Sequence, residues 1–251
     1  MVSGRSGLRL TVLGCCGSYP GPGQACSGYL VEGGGTRVVV DLGSGALANL
    51  QRHVGLGDLD AVVLSHGHPD HWTDITGLRV AHRYGLGLRG LPVLAPAATL
   101  AALDALVDGV TPTFAPRPVA DGDEVAIGAL RLRFAATVHF VPTLAVRVDG
   151  PDGRSLAYSA DTGPGWSFTS LGEGIDLALC EASVLAADEA SQNGGHLSAR
   201  QAGAMAAAAG VPRLVLTHLW PTVDREAARA EGAHAFGAPV EVATEGAVFD
   251  V

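Results

Sequence analysis

Lysine is absent from this chain: all 16 of its basic Lys/Arg positions are arginine. That excludes a Schiff-base lysine, a lysine general base and the lysine of a phosphate-binding loop. Basic charge is short in general, because 25 Asp and Glu leave a net charge of -9. A nonspecific grip on nucleic acid needs a basic face, so the balance argues against that class of partner. Cysteine is sparse as well: Cys15, Cys16, Cys26 and Cys180. Adjacent Cys15 and Cys16 lack the spacing of a zinc knuckle, and four thiols in 251 residues make no disulfide framework. Reduced, buried thiols in a cytoplasmic protein are expected instead. No apolar run is long enough to span a bilayer, and no membrane association is expected. Arg5 and Arg9 before the apolar stretch ending at Cys15 have the outline of a lipoprotein signal, but that stretch falls short of the roughly 7–15 residues of a signal core. The alternation Leu8-Arg9-Leu10-Thr11-Val12-Leu13 reads as a first strand.

Histidine, by contrast, is plentiful, with nine copies. Any active site must therefore be built of imidazole and carboxylate, with or without a metal.

Short β-type runs recur at 28–32, 36–41, 61–65, 92–95, 130–136, 143–148, 155–160, 176–180, 213–217 and 240–243, mostly bounded by Gly, Pro or Asp. Helical stretches fall at 46–54, 74–84, 97–107, 198–209 and 224–235. Ser198 is a candidate N-cap, and Gly210 followed by Pro212 a candidate stop. Strands, then a strand–helix block, then strands, then a second strand–helix block predict two sheets face to face with helices outside. The expected fold class is α/β, a four-layer αββα sandwich in two similar halves. With no linker in the chain, one domain over 1–251 is expected.

The densest chemistry is Ser65-His66-Gly67-His68-Pro69-Asp70-His71, where four candidate ligands follow an apolar strand. Gly67 and Pro69 argue against one continuous helix here, so a loop turns positions 66 and 68 one way and 70 and 71 another. That suits two adjacent metals, and the imidazole/carboxylate donors suit zinc, manganese or iron. Four ligands cannot fill two shells. Three lone polar residues at the ends of apolar runs are candidates for the remainder: His139, Asp161 and His218.

The pattern His-x-His-x-Asp-His, then His139, Asp161 and His218, resembles the metallo-β-lactamase superfamily over nearly the whole chain. The resemblance implies the αββα fold, one metal on His66, His68 and His139, a second on Asp70, His71 and His218, and Asp161 bridging. It also implies a nucleophilic hydroxide between two divalent ions, by default Zn2+, with Mn2+, Fe2+ or Ni2+ compatible. Gly195-His196-Leu197-Ser198-Ala199 is similar to a motif of the ribonuclease Z-like phosphodiesterase branch, in which the corresponding His faces the scissile phosphate. By that resemblance the catalytic residues are Asp70 and His196, with His196 placed for transition-state stabilisation or leaving-group protonation near a helix N-terminus that favours anions. His139-Phe140-Val141-Pro142, Tyr158-Ser159-Ala160-Asp161-Thr162 and the loop from Leu13-Gly14 to Ser18-Tyr19-Pro20 look like the same branch.

The chain also departs from that branch. Only 22 positions separate His139 from Asp161, which leaves no room for the tRNA-clasping insertion of ribonuclease Z. The branch's His-Glu-Ala-Thr appears as Cys180-Glu181-Ala182-Ser183. The expected activity is hydrolysis of a small or cyclic phosphodiester in a small, armless relative, with tRNA disfavoured and a homodimer implied by the resemblance. Alternatives are a thioester, lactone or lactam hydrolase using the same site, a tRNA 3′ endonuclease, and a metal-bound carrier without turnover. Glu181 is a candidate to orient His196, and Asp41 to support the metal loop. His53, His82 and His234 are assigned surface or helix-end roles, and Arg79, Arg83 and Arg89 a solvated helix face.

Overall fold

The computed structural model of the protein describes residues 7–107 and 109–251, so Arg5 of the signal-like stretch lies outside the described residues. Fourteen strands are present among them: β1 (Arg9–Gly14), β2 (Gly28–Gly33), β3 (Thr36–Leu42), β4 (Ala61–Val63), β5 (Leu91–Ala95), β6 (Phe114–Pro118), β7 (Glu124–Ile127), β8 (Leu130–Ala136), β9 (Leu144–Asp149), β10 (Ser155–Tyr158), β11 (Leu177–Glu181), β12 (Leu214–Thr217), β13 (Glu241–Val242) and β14 (Val248–Asp250). They form two seven-stranded sheets, ordered β14-β1-β2-β3-β4-β5-β6 and β13-β12-β11-β10-β9-β8-β7. In the first, β1, β2 and β3 pair antiparallel and β3 to β6 parallel. The second repeats the plan, antiparallel from β7 to β10 and parallel from β10 to β13. The two similar halves expected from the element order are therefore present.

One core lies between the sheets: Leu10, Val12, Tyr29, Val38 and Val40 from the first meet Leu132, Phe134, Val146, Leu156 and Tyr158 from the second. These strands alternate, because successive side chains point to opposite faces. Their other faces form two outer cores. Helices α1 (Ala46–Leu50), α3 (Ile75–Val80) and α4 (Ala97–Leu106) cover the first sheet, and α5 (Ala199–Ala208) and α6 (Arg225–Phe236) the second; α2 (Pro69–Trp72) lies in the His/Asp-rich 66–71 segment. Each fully buried Leu, Val or Phe contributes about 1.5–3 kcal/mol, so the three cores hold the four layers together. Helices α5 and α6 approach closely at Gly203, where a Cβ has no room against the Gly232 backbone.

Three strands escaped the sequence reading. In β6, Phe114-Ala115-Pro116-Arg117-Pro118, two prolines hide the strand; it is an edge strand, where a missing N–H is tolerated. The edge strands β7 and β14 are only four and three residues long, too short for a clear alternation. The helix expected over 74–84 stops at Val80 and widens into a π-helical turn, Ala81–Leu86. No helix is long and apolar enough to cross a membrane among the described residues.

Candidate active site

The C-terminal ends of the inner strands of both sheets meet at one edge of the sandwich, and every residue singled out above for chemistry lies there. His66 follows β4. His139 follows β8, Asp161 follows β10 and His218 follows β12. The 66–71 segment is a loop as far as His68 and then a single helical turn, α2, which starts on Pro69 at its first position. Proline is tolerated there because the first N–H of a helix has no partner to lose. The turn sends the imidazoles of 66 and 68 to one side and Asp70 and His71 to the other. His218 sits at φ 57° and Asp41 at φ 56°, left-handed backbone that non-glycine residues seldom adopt outside functional sites.

Two clusters result. His66, His68, His139 and Asp161 converge in one; Asp70, His71 and His218 in the other. Asp161 faces both. Its Oδ2 lies 3.6 Å from His66 Nε2 and 3.7 Å from His139 Nε2. Its Oδ1 lies 3.3 Å from His71 Nε2 and 3.4 Å from His218 Nε2. Asp70 Oδ2 is 3.1 Å from His218 Nε2 and accepts the Ser18 N–H at 2.7 Å.

The hydrogen bonds fix the imidazole tautomers. His71 Nδ1 lies 2.8 Å from Asp41 Oδ2, His218 Nδ1 lies 3.0 Å from Ser183 Oγ, and His139 Nδ1 lies 2.8 Å from the Gly195 carbonyl. With Nδ1–H donating outward, each Nε2 faces inward and can bind a cation once it carries no proton. His71 Nε2 and His218 Nε2 stand 3.2 Å apart, and His139 Nε2 stands 3.1 Å from His68 Nδ1. Converging lone pairs beside carboxylates repel one another unless a cation lies between them. In addition, His66 Nε2 and Asp161 Oδ1 are buried and have no hydrogen-bond partner. Unsatisfied buried polar atoms are costly and rare, so their placement here fits divalent cations bound by imidazole and carboxylate.

Electrostatics separate the groups. Burial lowers His66 well below the ordinary imidazole range, with His71 adding to the effect, and burial also lowers His68 and His139. Burial opposes charge on Asp70, yet His71 and His218 outweigh it and hold the carboxyl far below the usual range. Burial likewise opposes charge on His71, but Asp161, Asp70 and Asp41 raise it. The carboxylates that favour a proton on His71 equally favour a metal cation beside it.

His196 completes the site. Its Nδ1 is 3.1 Å from Glu181 Oε1 and 3.8 Å from Asp161 Oδ2. Its ring stacks on His218, with centroids 5.6 Å apart and planes at 14°. Burial would lower its pKa; Glu181 overrides that and raises it to about 9. Glu181 is fully buried and also accepts the N–H groups of Thr162 and Leu197 and the Ser183 hydroxyl. The expectation of an anion-favouring helix start is corrected here. Ser198 and Gln201 form a reciprocal capping box, and Leu197 N–H serves Glu181, so most of those donors are already used.

The remaining sequence assignments sort plainly. Arg83 and Arg89 are exposed, as a solvated face requires, but Arg79 is half-buried, with its guanidinium donating to the Gly109 carbonyl and its Nε buried. His53 and His234 are exposed. His82 is not at the surface: it is buried, with Nε2 at 3.0 Å from the Leu56 carbonyl. The four cysteines are buried and free. Ser65, Ser183 and Tyr158 were missed as supporting residues. All three stand within quoted motifs, and a hydroxyl close in sequence to a candidate site residue is the signal that would have found them.

Two mixed sheets between helices, with His/Asp clusters at the strand ends, define a hydrolase fold whose site is able to bind metal. Residues 36–219 match the family model of the beta-lactamase superfamily domain, and the chain belongs to that superfamily. The Mycobacterium leprae protein ML1173 is 37% identical over 254 residues, covering 97% of this chain and 89% of its own. YhfI of Bacillus subtilis, which bears the name "Probable metallo-hydrolase", is 32% identical over 97% of this chain and 100% of its own. The crystal structure of YhfI, a metallo-beta-lactamase fold protein, aligns with a TM-score of 0.88 over 98% of this chain and 99% of its own, at 29% identity. A ribonuclease Z of Mycobacterium bovis is 28% identical over 95% of this chain and 96% of its own.

Proposed function

We propose that the protein is a dinuclear metal-dependent phosphodiesterase acting on small or cyclic phosphodiesters. One observation carries this reading: Asp161 turns a separate oxygen to each of two ligand clusters, and a charged His196 stands at the same carboxylate. His66, His68 and His139 would hold one cation and Asp70, His71 and His218 the other, with Asp161 shared. Divalent ions there, zinc by donor type with manganese, iron or nickel compatible, supply charge neutralisation for the phosphoryl group and acidify water.

The chain's own groups supply the rest. His196, protonated at neutral pH, gives its Nε2 proton to the departing oxygen as the P–O bond breaks, while Nδ1–H stays on Glu181. The imidazole left behind is neutral and held in place. Glu181 positions His196 and, through Ser183, also His218. Asp70, kept ionised by His71 and His218, orients the attacking water. A small substrate fits the interval between His139 and Asp161, which holds only β9, β10 and the turn joining them, with no clasp for tRNA. The relationship to a protein named ribonuclease Z supports phosphodiester chemistry, and the acidic balance of the chain argues for a substrate other than tRNA.

Elemental analysis of the purified protein, followed by a panel of cyclic nucleotides, linear phosphodiesters and tRNA, tests the proposal. About two metal ions per chain and turnover of small diesters are expected. Preference for tRNA would replace this reading with tRNA processing.

A further inference from the structure

Nine large apolar side chains are exposed among the described residues. Three of them frame the site: Tyr19 at 48% exposure, next to the Ser18 that donates to Asp70, and Val138 (45%) and Phe140 (60%) on either side of His139. Phe140 is the most exposed of the three and is nonetheless fixed in place. Its ring lies on the backbone of Gly195, where a Cβ has no room beside it. The ring centroid is 5.1 Å from that of His139 and 6.2 Å from that of His196, in tilted and edge-on arrangements. One edge of Phe140 thus meets the reacting centre, and much of the ring is left open to solvent. Exposed apolar side chains grouped around a site are the kind of patch that marks a ligand-binding surface.

The charge around the site narrows what that something is. Among the described residues, none of the hydrogen bonds or ion pairs made by the clustered His and Asp residues, His196 or Glu181 involves an arginine, and the chain has no lysine. Among the described contacts His196 is the basic side chain placed at the site outside the clusters, and the apolar side chains that frame it favour apolar or stacking contact with groups away from the phosphoryl.

We propose that Phe140 is a specificity-determining residue: its ring stacks on a planar aromatic group carried by the phosphodiester, a nucleobase. This rests on the phosphodiesterase reading and adds to it which ester group the site selects. Stacking of a base on an aromatic side chain tolerates any base, so selectivity for aromatic over aliphatic esters is expected, with little discrimination between bases.

The test uses two matched pairs of compounds. Adenosine 3′,5′-cyclic phosphate and the 1-O-methyl ribose cyclic phosphate, which lacks the base, share ring strain and leaving group. Adenosine 5′-monophosphate and ribose 5-phosphate serve the same comparison at equilibrium, by calorimetric titration into cation-loaded protein. Wild type should favour the base-bearing member at least about tenfold, in KM rather than kcat and in Kd. Phe140→Ala should erase that preference and Phe140→Trp should keep it; circular dichroism confirms that both variants fold. A preference unchanged in Phe140→Ala, or absent in wild type, overturns the role of Phe140 even if both cyclic compounds are hydrolysed. Preferential binding of the adenosine monophosphate that is lost in Phe140→Ala, with neither cyclic compound hydrolysed, supports the stacking role and overturns the phosphodiesterase reading instead.

Discussion

The hydroxyl of Tyr158 donates to Asp41 Oδ2 at 3.0 Å, joining the second sheet to the first immediately behind the ligand loop. Asp41 is buried and also accepts the N–H and hydroxyl of Ser65 and holds His71. A reciprocal contact runs the other way: Tyr29 of the first sheet bonds the Thr217 hydroxyl at 2.7 Å, next to His218. The two rings lie 5.0 Å apart between the sheets. Each half therefore braces candidate site residues that the other half carries. Partners of this kind typically govern metal affinity by 10–100-fold. Tyr158→Phe is expected to weaken cation binding at least about tenfold while the protein stays folded, measured by calorimetric titration. Unchanged affinity would mean that the contact is packing alone.

Two carboxylates work alike in the two halves. Asp41 reaches His71 directly and His66 through Ser65, whose hydroxyl is 3.0 Å from His66 Nδ1. Glu181 reaches His196 directly and His218 through Ser183. Ser183→Ala removes one relay and leaves His218 Nδ1–H without its acceptor. Cation affinity should fall at least about tenfold, and Ser183→Thr should restore it because the hydroxyl is kept. Equal loss in both variants, read from the visible spectrum of a cobalt-substituted sample, contradicts the relay.

The pH profile follows from His196. A general acid must be protonated, so activity is lost as pH rises through its pKa, about 9 in this site. Glu181 is the main cause of that elevation. Glu181→Gln should move the alkaline limb down towards the ordinary imidazole value of about 6.5. A limb that stays in place assigns it to another group.

Alkaline stability has a separate origin. Burial raises Cys15 to about 11 and Cys26 to about 12, and it raises Cys180, Tyr29 and Tyr158 in the same direction. For each group the folded pKa exceeds the unfolded one. The protonated form is therefore favoured by folding, and its contribution is complete below the unfolded pKa, about 9 for the thiols and about 10 for the tyrosines. It is lost as pH climbs through 11–12, because the unfolded chain releases protons that the folded chain keeps. The unfolding free energy from urea titration should already decline between about pH 6.5 and 9, as the unfolded chain releases the proton that folded His196 keeps, and fall further above pH 9, by about 1.4 kcal/mol per pH unit for each thiol. The same burial predicts no reaction of the native cysteines with maleimide at pH 8, and four reacting in denaturant. Rapid native labelling would contradict it.

Legibility in the sequence followed local signal. The convergence of the candidate residues was readable because His66, His68, Asp70 and His71 are clustered after one apolar strand, while His139, Asp161 and His218 are lone polar residues at the ends of others. The sandwich was readable from element order. By contrast, β6 was hidden by its prolines, and His82 was misassigned because nothing in the sequence shows that the Leu56 carbonyl is its neighbour. Tyr158, 117 positions from Asp41, could not be linked to it without the sheets being placed face to face. Long-range hydrogen bonds leave no periodicity to read.

The central claim, phosphodiester hydrolysis with His196 as the acid, is tested most directly by comparing wild type and His196→Ala, both loaded with metal, on a cyclic phosphodiester and on a thioester. The account predicts metal-dependent turnover of the phosphodiester by wild type and a loss of about 10²–10⁴-fold in kcat for the variant. Turnover of the thioester alone, unaffected by His196→Ala, would contradict it.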